Sequence, residues 1–113
     1  MKDETVYIEH ILDAIKKIEA YIAKTTKERF MEKTLIQDAV IRQIEIIGEA
    51  SKLISDETRK KSPATPWKDI AGMRDKLIHG YFGVDLDAVW KTVKKDIPSL
   101  KKDIKRLEET DKK

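Results

Sequence analysis

The sequence predicts an all-α protein, a single domain over residues 1–113 built as an antiparallel bundle of four to five helices. Apolar residues recur at the three- and four-residue spacing of amphipathic helices along most of the chain. No glycine precedes residue 48 and no proline precedes residue 63, so the first half contains few helix breakers. We find no convincing pair of strands. A chain of 113 residues has room for one core, and a helical bundle of this size often buries more apolar surface by forming a homodimer.

The first two helices are predicted from their apolar stripes. The first should span residues 5–23, with a stripe made of Ile8, Ile11, Leu12, Ile15, Ile18 and Ile22. After a polar loop at residues 24–29, the second should begin at residue 30 or 34 and end at residue 54. Its apolar surface is wider, which indicates packing on two sides. Its polar residues are spaced four, three and four apart and should form a row of intrahelical salt bridges on one face: Asp38, Arg42, Glu45 and Glu49.

The third helix is predicted from the residues that begin and end it. A polar connection at residues 55–64 precedes Thr65, which should be the N-cap, with Pro66 in the first helical position. The helix should run to about His79 and stop near Gly80, because glycine favours helix ends.

The fourth helix should begin after Asp85, which reads as its N-cap, and continue to Ile97. Pro98 should kink or restart the helix, because a proline inside a helix removes a hydrogen bond and clashes with the preceding turn. The apolar stripe then continues to Leu107, which indicates a final helical segment.

Composition limits the classes of function. Charged residues make up 40% of the chain, yet the net charge is only +3, so most charges should lie on solvated helix faces. Residues 1–55 carry 9 basic and 10 acidic groups, whereas residues 56–113 carry 15 and 11, which favours a local contact with a polyanion in the second half. Without cysteine, the chain has no disulfide, thiolate metal site or cysteine nucleophile. It also shows no signal peptide and no membrane-spanning run, so we expect a cytoplasmic protein without membrane contact.

One segment of the third helix carries groups suited to phosphodiester cleavage. Arg74 can bind phosphate through two parallel hydrogen bonds, and His79 can accept or donate a proton near neutral pH. These two residues are five apart and differ by about 140° on an ideal helix, so the helix end must loosen near Gly80 for them to converge. Asp75, four residues before His79, could orient the imidazole. RNA supplies its own nucleophile in the 2′-hydroxyl, so neither a metal nor a cofactor is expected.

A single histidine cannot easily serve as base and acid in one turnover. A two-fold dimer would bring two copies of the segment together and supply both groups, which is a physical reason to expect a homodimer. The spacing alone also allows a structural interpretation. In that case Arg74 lies on a solvated face, His79 ends a helix, and Tyr81 is buried beside Phe82.

The sequence resembles the HEPN superfamily, and within it the HepT-like (DUF86) group, over nearly the whole chain. The family motif is an arginine, four to six residues, a histidine and, in this group, a tyrosine two residues later. Here it reads Arg74-Asp75-Lys76-Leu77-Ile78-His79-Gly80-Tyr81. Further similar segments are Tyr7–Leu12, Gln37–Arg42, Ile46–Ala50, Pro66-Trp67 and Tyr81–Asp85 with Val89-Trp90.

The resemblance implies a dimeric helical bundle with both motifs in one cleft. It implies metal-independent cleavage of RNA that leaves a cyclic phosphate, with Arg74 and His79 as catalytic residues. It also implies a toxin paired with a minimal nucleotidyltransferase antitoxin, which adenylylates (AMPylates) Tyr81. Glu49 matches a recurrent acidic position of the second helix, and we expect it to support the cleft together with Asp75. The alternative is a non-catalytic binding subunit associated with a nucleotidyltransferase, and a nuclease activity that depends on Arg74 and His79 would distinguish the two.

Overall fold

The computed structural model describes residues 4–79 and 83–111, and it confirms the all-α fold class. The longer helices are α1 (Thr5–Ile22), α3 (Thr34–Lys52) and α8 (Ile97–Asp111). The shorter helices are α2 (Lys27–Glu32), α4 (Asp56–Arg59), α5 (Trp67–Ala71), α6 (Met73–Leu77) and α7 (Leu86–Lys91). A π-helical turn at Thr92–Asp96 joins α7 to α8, and β1 (Ile78–His79) pairs with β2 (Gly83–Val84). Over these described ranges, no helix is both long and apolar enough to span a membrane.

The packing of α1 against α3 forms the centre of the bundle. The predicted apolar stripe of α1 is buried except at Ile22, which is partly buried, and α3 contributes Val40, Ile44 and Ile47 to the same core. Burying a side chain of this size contributes roughly 1.5–3 kcal/mol relative to leaving it exposed. The start of α1 lies beside the end of α3, since the Ser55 backbone N–H donates to the Glu4 carboxylate at 2.6 Å. Burial raises the pKa of Glu4, but the hydrogen bonds from Ser55 and Thr58 prevail and hold this pKa below its usual value.

The last helix closes the core from another side. α8 buries one stripe made of Ile97, Leu100, Ile104 and Leu107. Pro98 lies in its first turn, where its missing N–H costs no intrahelical hydrogen bond, so the predicted restart of the helix is confirmed. The fourth predicted helix, however, ends as an α-helix at Lys91 instead of Ile97, because the π-helical turn precedes α8. The predicted N-cap at Asp85 is also confirmed, because its carboxylate accepts a hydrogen bond from the Ala88 backbone N–H at 3.1 Å.

Two predicted connections were wrong because they contain short helices. The predicted loop at residues 24–29 includes the start of α2, which Thr26 caps by accepting from the Arg29 N–H at 3.2 Å. Phe30 of α2 is fully buried with its ring 5.2 Å from that of Trp90, so a tertiary contact holds this helix. The second predicted helix therefore begins at its later boundary, Thr34, and it ends at Lys52 instead of residue 54. The connection at 55–64 contains α4.

The third predicted helix needs a larger correction. It starts one residue late, at Trp67, and Thr65 does not cap it, because the Thr65 hydroxyl donates to Asp103 at 2.8 Å. It breaks at Gly72, a residue with low helix propensity, and ends at Leu77. The next two residues are extended and pair with β2, so the expectation of no strand pair was wrong at this short ladder.

The early end of α6 also removes a helical alignment on which the sequence interpretation relied. Asp75 and His79 do not share a helix face, because the helix has ended before His79. The position of the His79 backbone relative to α6 therefore depends on the strand pair and not on helical spacing.

Candidate functional site

A polar groove of about 260 Å³ separates α3 from α5 and α6. Its lining residues are Arg42, Glu45, Gly48, Glu49, Lys52, Ala71, Arg74 and Asp75. Three predicted site residues, Glu49, Arg74 and Asp75, thus meet in one groove although 25 residues of chain separate the first two. The backbone of His79 lies in β1, just beyond α6. The side chain of His79 and all of Tyr81 lie outside the described part of the structure.

The position of Arg74 follows from the apolar residues beside it. Met73 and Leu77 are one helical turn apart and both buried, so they fix α6 against the core. The residues between them consequently face solvent, and the Arg74 side chain remains 47% exposed. The motif arginine is therefore anchored through its neighbours while its guanidinium remains accessible.

Two carboxylates contact the Arg74 guanidinium. Its Nε lies 3.4 Å from Oε2 of Glu45, and its Nη1 lies 3.4 Å from Oδ1 of Asp75. Both distances are long for hydrogen bonds between charged groups, and partly exposed pairs of this kind contribute only about 0–1 kcal/mol. These contacts orient Arg74 without holding it tightly, so a phosphate could replace one of them.

The polar line of α3 does not form the predicted intrahelical row. Glu45 pairs across the groove with Arg74, and Glu49 pairs with Lys52 at 3.3 Å on the same helix. Arg42 forms no ion pair with any described carboxylate. That prediction was wrong because Glu45 takes its cationic partner from another helix, α6. Sequence reasoning placed Glu45 on this polar line but missed its contact with Arg74.

Gly48 allows α3 to approach α5 closely at the floor of the groove. A Cβ added at this position would lie 3.4 Å from the Ala71 carbonyl oxygen and 3.6 Å from that of Ile70, which is ordinary van der Waals contact. A methyl group therefore fits, whereas a longer side chain would have to displace the α5 backbone. The small residue thus sets the width of the groove.

We expect Gly48→Ala to preserve or raise the thermal midpoint, because alanine in a helix interior is favoured over glycine by roughly 0.5–1 kcal/mol. Gly48→Leu should destabilise the protein by about 1–3 kcal/mol through overpacking. Thermal unfolding followed by circular dichroism would compare the two variants. Equal stability of the leucine and alanine variants would show that α3 and α5 are not closely packed here.

The charges of the groove are balanced. Three cationic side chains, Arg42, Lys52 and Arg74, face three carboxylates, Glu45, Glu49 and Asp75. Among the described residues, no group of three or more histidine and acidic side chains is arranged to hold a metal ion. The groove therefore offers arginine donors for an anion, together with carboxylates that compete for them.

A second, larger groove of about 300 Å³ lies on the other side of α5 and α6, toward α8. Its floor includes the apolar side chains of Ile70, Met73, Leu77, Ile97 and Leu100. It contains no predicted site residue. We place the candidate site in the smaller groove, since recognition of phosphate requires the arginines found there.

Comparisons with known proteins agree on one family. The sequence model described as Ribonuclease HepT-like matches residues 11–107. A Methanocaldococcus jannaschii protein named "Gamma-glutamylcyclotransferase and putative RNase" is 53% identical over 112 residues, which are 98% of this chain and 50% of that protein. A "Probable ribonuclease HepT" of Thermococcus cleftensis is 50% identical over 101 residues, 89% of this chain and 92% of that protein.

A third relative, a "Putative RNase" of Caldanaerobacter subterraneus subsp. tengcongensis, is 43% identical over 107 residues, 95% of this chain and 96% of that protein. The chain thus spans half the length of the first relative and nearly all of the other two. No solved structure matches the chain.

Proposed function

The chain belongs to the HepT-like ribonuclease family, and on that premise we propose that it is a metal-independent endoribonuclease acting at the groove between α3 and α6. The observation that carries the proposal is the position of Arg74, anchored by its neighbours and presenting an accessible guanidinium in a groove. The guanidinium binds the scissile phosphate and stabilises the charge that develops on its oxygens. No cofactor takes part.

The proposed reaction is an attack of the RNA on itself. The 2′-oxygen forms a bond to the adjacent phosphorus while the bond from phosphorus to the 5′-oxygen breaks. His79 accepts the proton of the 2′-hydroxyl, and His79 of the partner subunit donates a proton to the departing 5′-oxygen. The products are a 2′,3′-cyclic phosphate and a 5′-hydroxyl. Asp75 and Glu49 support the site, Asp75 through its contact with Arg74 and Glu49 from the facing helix.

The experiment that tests this function is cleavage of a mixed single-stranded RNA by the purified protein in the presence of EDTA. End-group analysis should find cyclic phosphates and 5′-hydroxyls, and Arg74→Ala and His79→Ala should remove the activity. A folded wild-type protein that cleaves no RNA would contradict the proposal. It would favour the alternative, a non-catalytic subunit that binds a nucleotidyltransferase.

The mechanism requires two histidines, so we expect a homodimer in which both motifs share one cleft. Light scattering at micromolar concentration should give a mass near twice the 13.1 kDa of the chain. A monomer under these conditions would contradict the shared cleft. Activity of such a monomer would show that one histidine suffices.

We further propose that the protein is the toxin of a cytoplasmic toxin–antitoxin pair, inhibited by a minimal nucleotidyltransferase that adenylylates Tyr81. The tyrosine oxygen attacks the α-phosphorus of ATP, AMP becomes attached to the ring oxygen, and pyrophosphate leaves. The modification adds bulk and negative charge two residues after His79, where it repels the RNA backbone and can pair with Arg74.

Incubation with the cognate nucleotidyltransferase and ATP should add one AMP to Tyr81, located by peptide mass spectrometry, and should abolish cleavage. Tyr81→Phe should remain active and escape inhibition. Tyr7→Phe is a matched control on α1 that should be inhibited like the wild type. An adduct elsewhere, or an adduct on Tyr81 that leaves cleavage unchanged, would contradict this form of control.

A further inference from the structure

Arg42 differs from the other cations of the groove in its ion pairing. Lys52 contacts Glu49, and Arg74 contacts two carboxylates. Arg42 is exposed, lines the same groove and forms no ion pair with any described carboxylate. An incoming phosphate can therefore bind Arg42 without displacing any of the described carboxylates, whereas at Lys52 or Arg74 it must compete with a carboxylate.

Arg42 and Arg74 line the same groove from facing helices. Arg42 is three residues before Glu45 on α3, an axial rise of about 4.5 Å along that helix. Glu45 in turn contacts Arg74 across the groove at 3.4 Å. The position of Arg42 is therefore offset along α3 by about one helical turn from the point where Arg74 meets this helix, an arrangement that suits neighbouring phosphates of a single strand.

Resting on the function proposed above, we propose that Arg42 binds the RNA phosphate next to the scissile one. A guanidinium can hold that phosphate through two parallel hydrogen bonds. Arg42 thereby fixes the register of the strand, so that the bond to be cleaved lies at Arg74. Its role is in binding and positioning the substrate, and Arg74 acts on the reacting phosphate.

The carboxylates give this role a physical reason. With three cations and three carboxylates, the groove as a whole has no net attraction for a polyanion. Arg42, which has no ion-pair partner among the described carboxylates, supplies the local attraction that the balanced pairs do not. RNA binding should therefore depend on Arg42 more strongly than the groove's net charge suggests. Replacing Arg42 should remove one contact between the protein and an RNA phosphate.

The test measures binding separately from cleavage. A labelled single-stranded RNA with 2′-O-methyl groups cannot be cleaved by 2′-hydroxyl attack, and its Kd can be measured by fluorescence anisotropy at several NaCl concentrations. Arg42→Gln should weaken binding by about 10-fold, as for loss of one hydrogen-bonded charge contact. The slope of log Kd against log salt concentration should become shallower by about 0.7, the value for one phosphate contact on a single strand.

The matched control is Arg29→Gln, the same change at an exposed arginine of α2 that does not line the groove. It should leave both the Kd and the slope at the wild-type values. Arg42→Lys should restore the slope, because lysine keeps the positive charge. It should also restore part of the affinity. With cleavable RNA, Arg42→Gln should raise KM and leave kcat close to that of the wild type.

An Arg42→Gln variant that is folded by circular dichroism and binds RNA with the slope of Arg29→Gln would overturn the assignment. A fall in kcat without a change in KM or slope would also overturn it. Failure of the wild type to cleave unmodified RNA counts against the proposed function instead. The salt slope of the uncleavable RNA distinguishes the two failures, because it depends on phosphate binding alone.

Discussion

Arg74→Ala is expected to lower kcat/KM for RNA cleavage by about 100- to 1000-fold, the usual effect of removing one donor that stabilises developing negative charge. The fold should be unaffected, because Arg74 is 47% exposed and its two carboxylate contacts are both 3.4 Å long. Such surface pairs contribute only about 0–1 kcal/mol to stability. Arg74→Lys should also be strongly impaired, since an ammonium group cannot reproduce the planar pair of donors.

The measurement is steady-state cleavage of a fluorescent RNA, combined with circular dichroism to verify the fold. Lys76→Ala is the matched control, since Lys76 is an exposed cation of the same short helix but lines the other groove. It should cleave RNA at close to the wild-type rate. If Arg74→Ala retains activity, the arginine does not act on the reacting phosphate. If the variant unfolds, Arg74 has a structural role, which the spacing of Arg74 and His79 in the sequence also allows.

Long helices were predictable because each carries its own pattern. The isoleucine stripe of α1 defines a buried face over 18 residues, and its predicted extent agrees with Thr5–Ile22 to within one residue. Asp85 and Pro98 also predicted helix starts correctly. A capping carboxylate and a proline ring without an N–H affect only the neighbouring turn of the helix. Local chemistry of this kind does not depend on where the rest of the chain lies.

Short elements were not predictable because distant residues hold them. α2 has six residues, too few to be stable alone, and is held by the contact between Phe30 and Trp90. The Gln37 side chain also donates to the Phe30 carbonyl at 2.7 Å and fixes the junction with α3. The strand pair after Leu77 joins two separate segments of the chain, and helical periodicity does not encode such a pairing.

In the candidate site, too, local sequence patterns were predictable and contacts between distant residues were not. The sequence named Arg74 as a candidate, and the 3.6-residue period correctly grouped Glu45 with Glu49 on one face of α3, where both line the groove. It could not say that this face meets α6, since the contact of Glu45 with Arg74 joins residues 29 apart in the chain. The helical argument that linked Asp75 to His79 failed because it assumed a continuous helix. Sequence patterns thus named candidate groups, and packing decided which of them meet.

His79→Ala is expected to lower kcat by about 100- to 10,000-fold, the range for loss of a general acid or base. KM should change little, because Arg42 and Arg74, the arginines proposed to bind phosphate, remain. His10→Ala is the matched control, since His10 is the chain's other histidine and is exposed on α1, outside the groove. Its activity should equal that of the wild type. A His79→Ala variant that cleaves normally would remove the histidine from the mechanism.

Mixed dimers test whether the two copies of His79 act together. If one cleft needs a histidine from each subunit, a dimer of one wild-type and one His79→Ala chain is inactive. After subunit exchange in an equal mixture, the total activity should then fall to about one quarter of that of the wild type, whereas independent sites would retain about one half of it. Across mixing ratios, the rate should therefore follow the square of the wild-type fraction. A linear dependence would contradict the shared cleft while leaving the role of His79 within each subunit intact, because each chain would then cleave RNA with its own histidine.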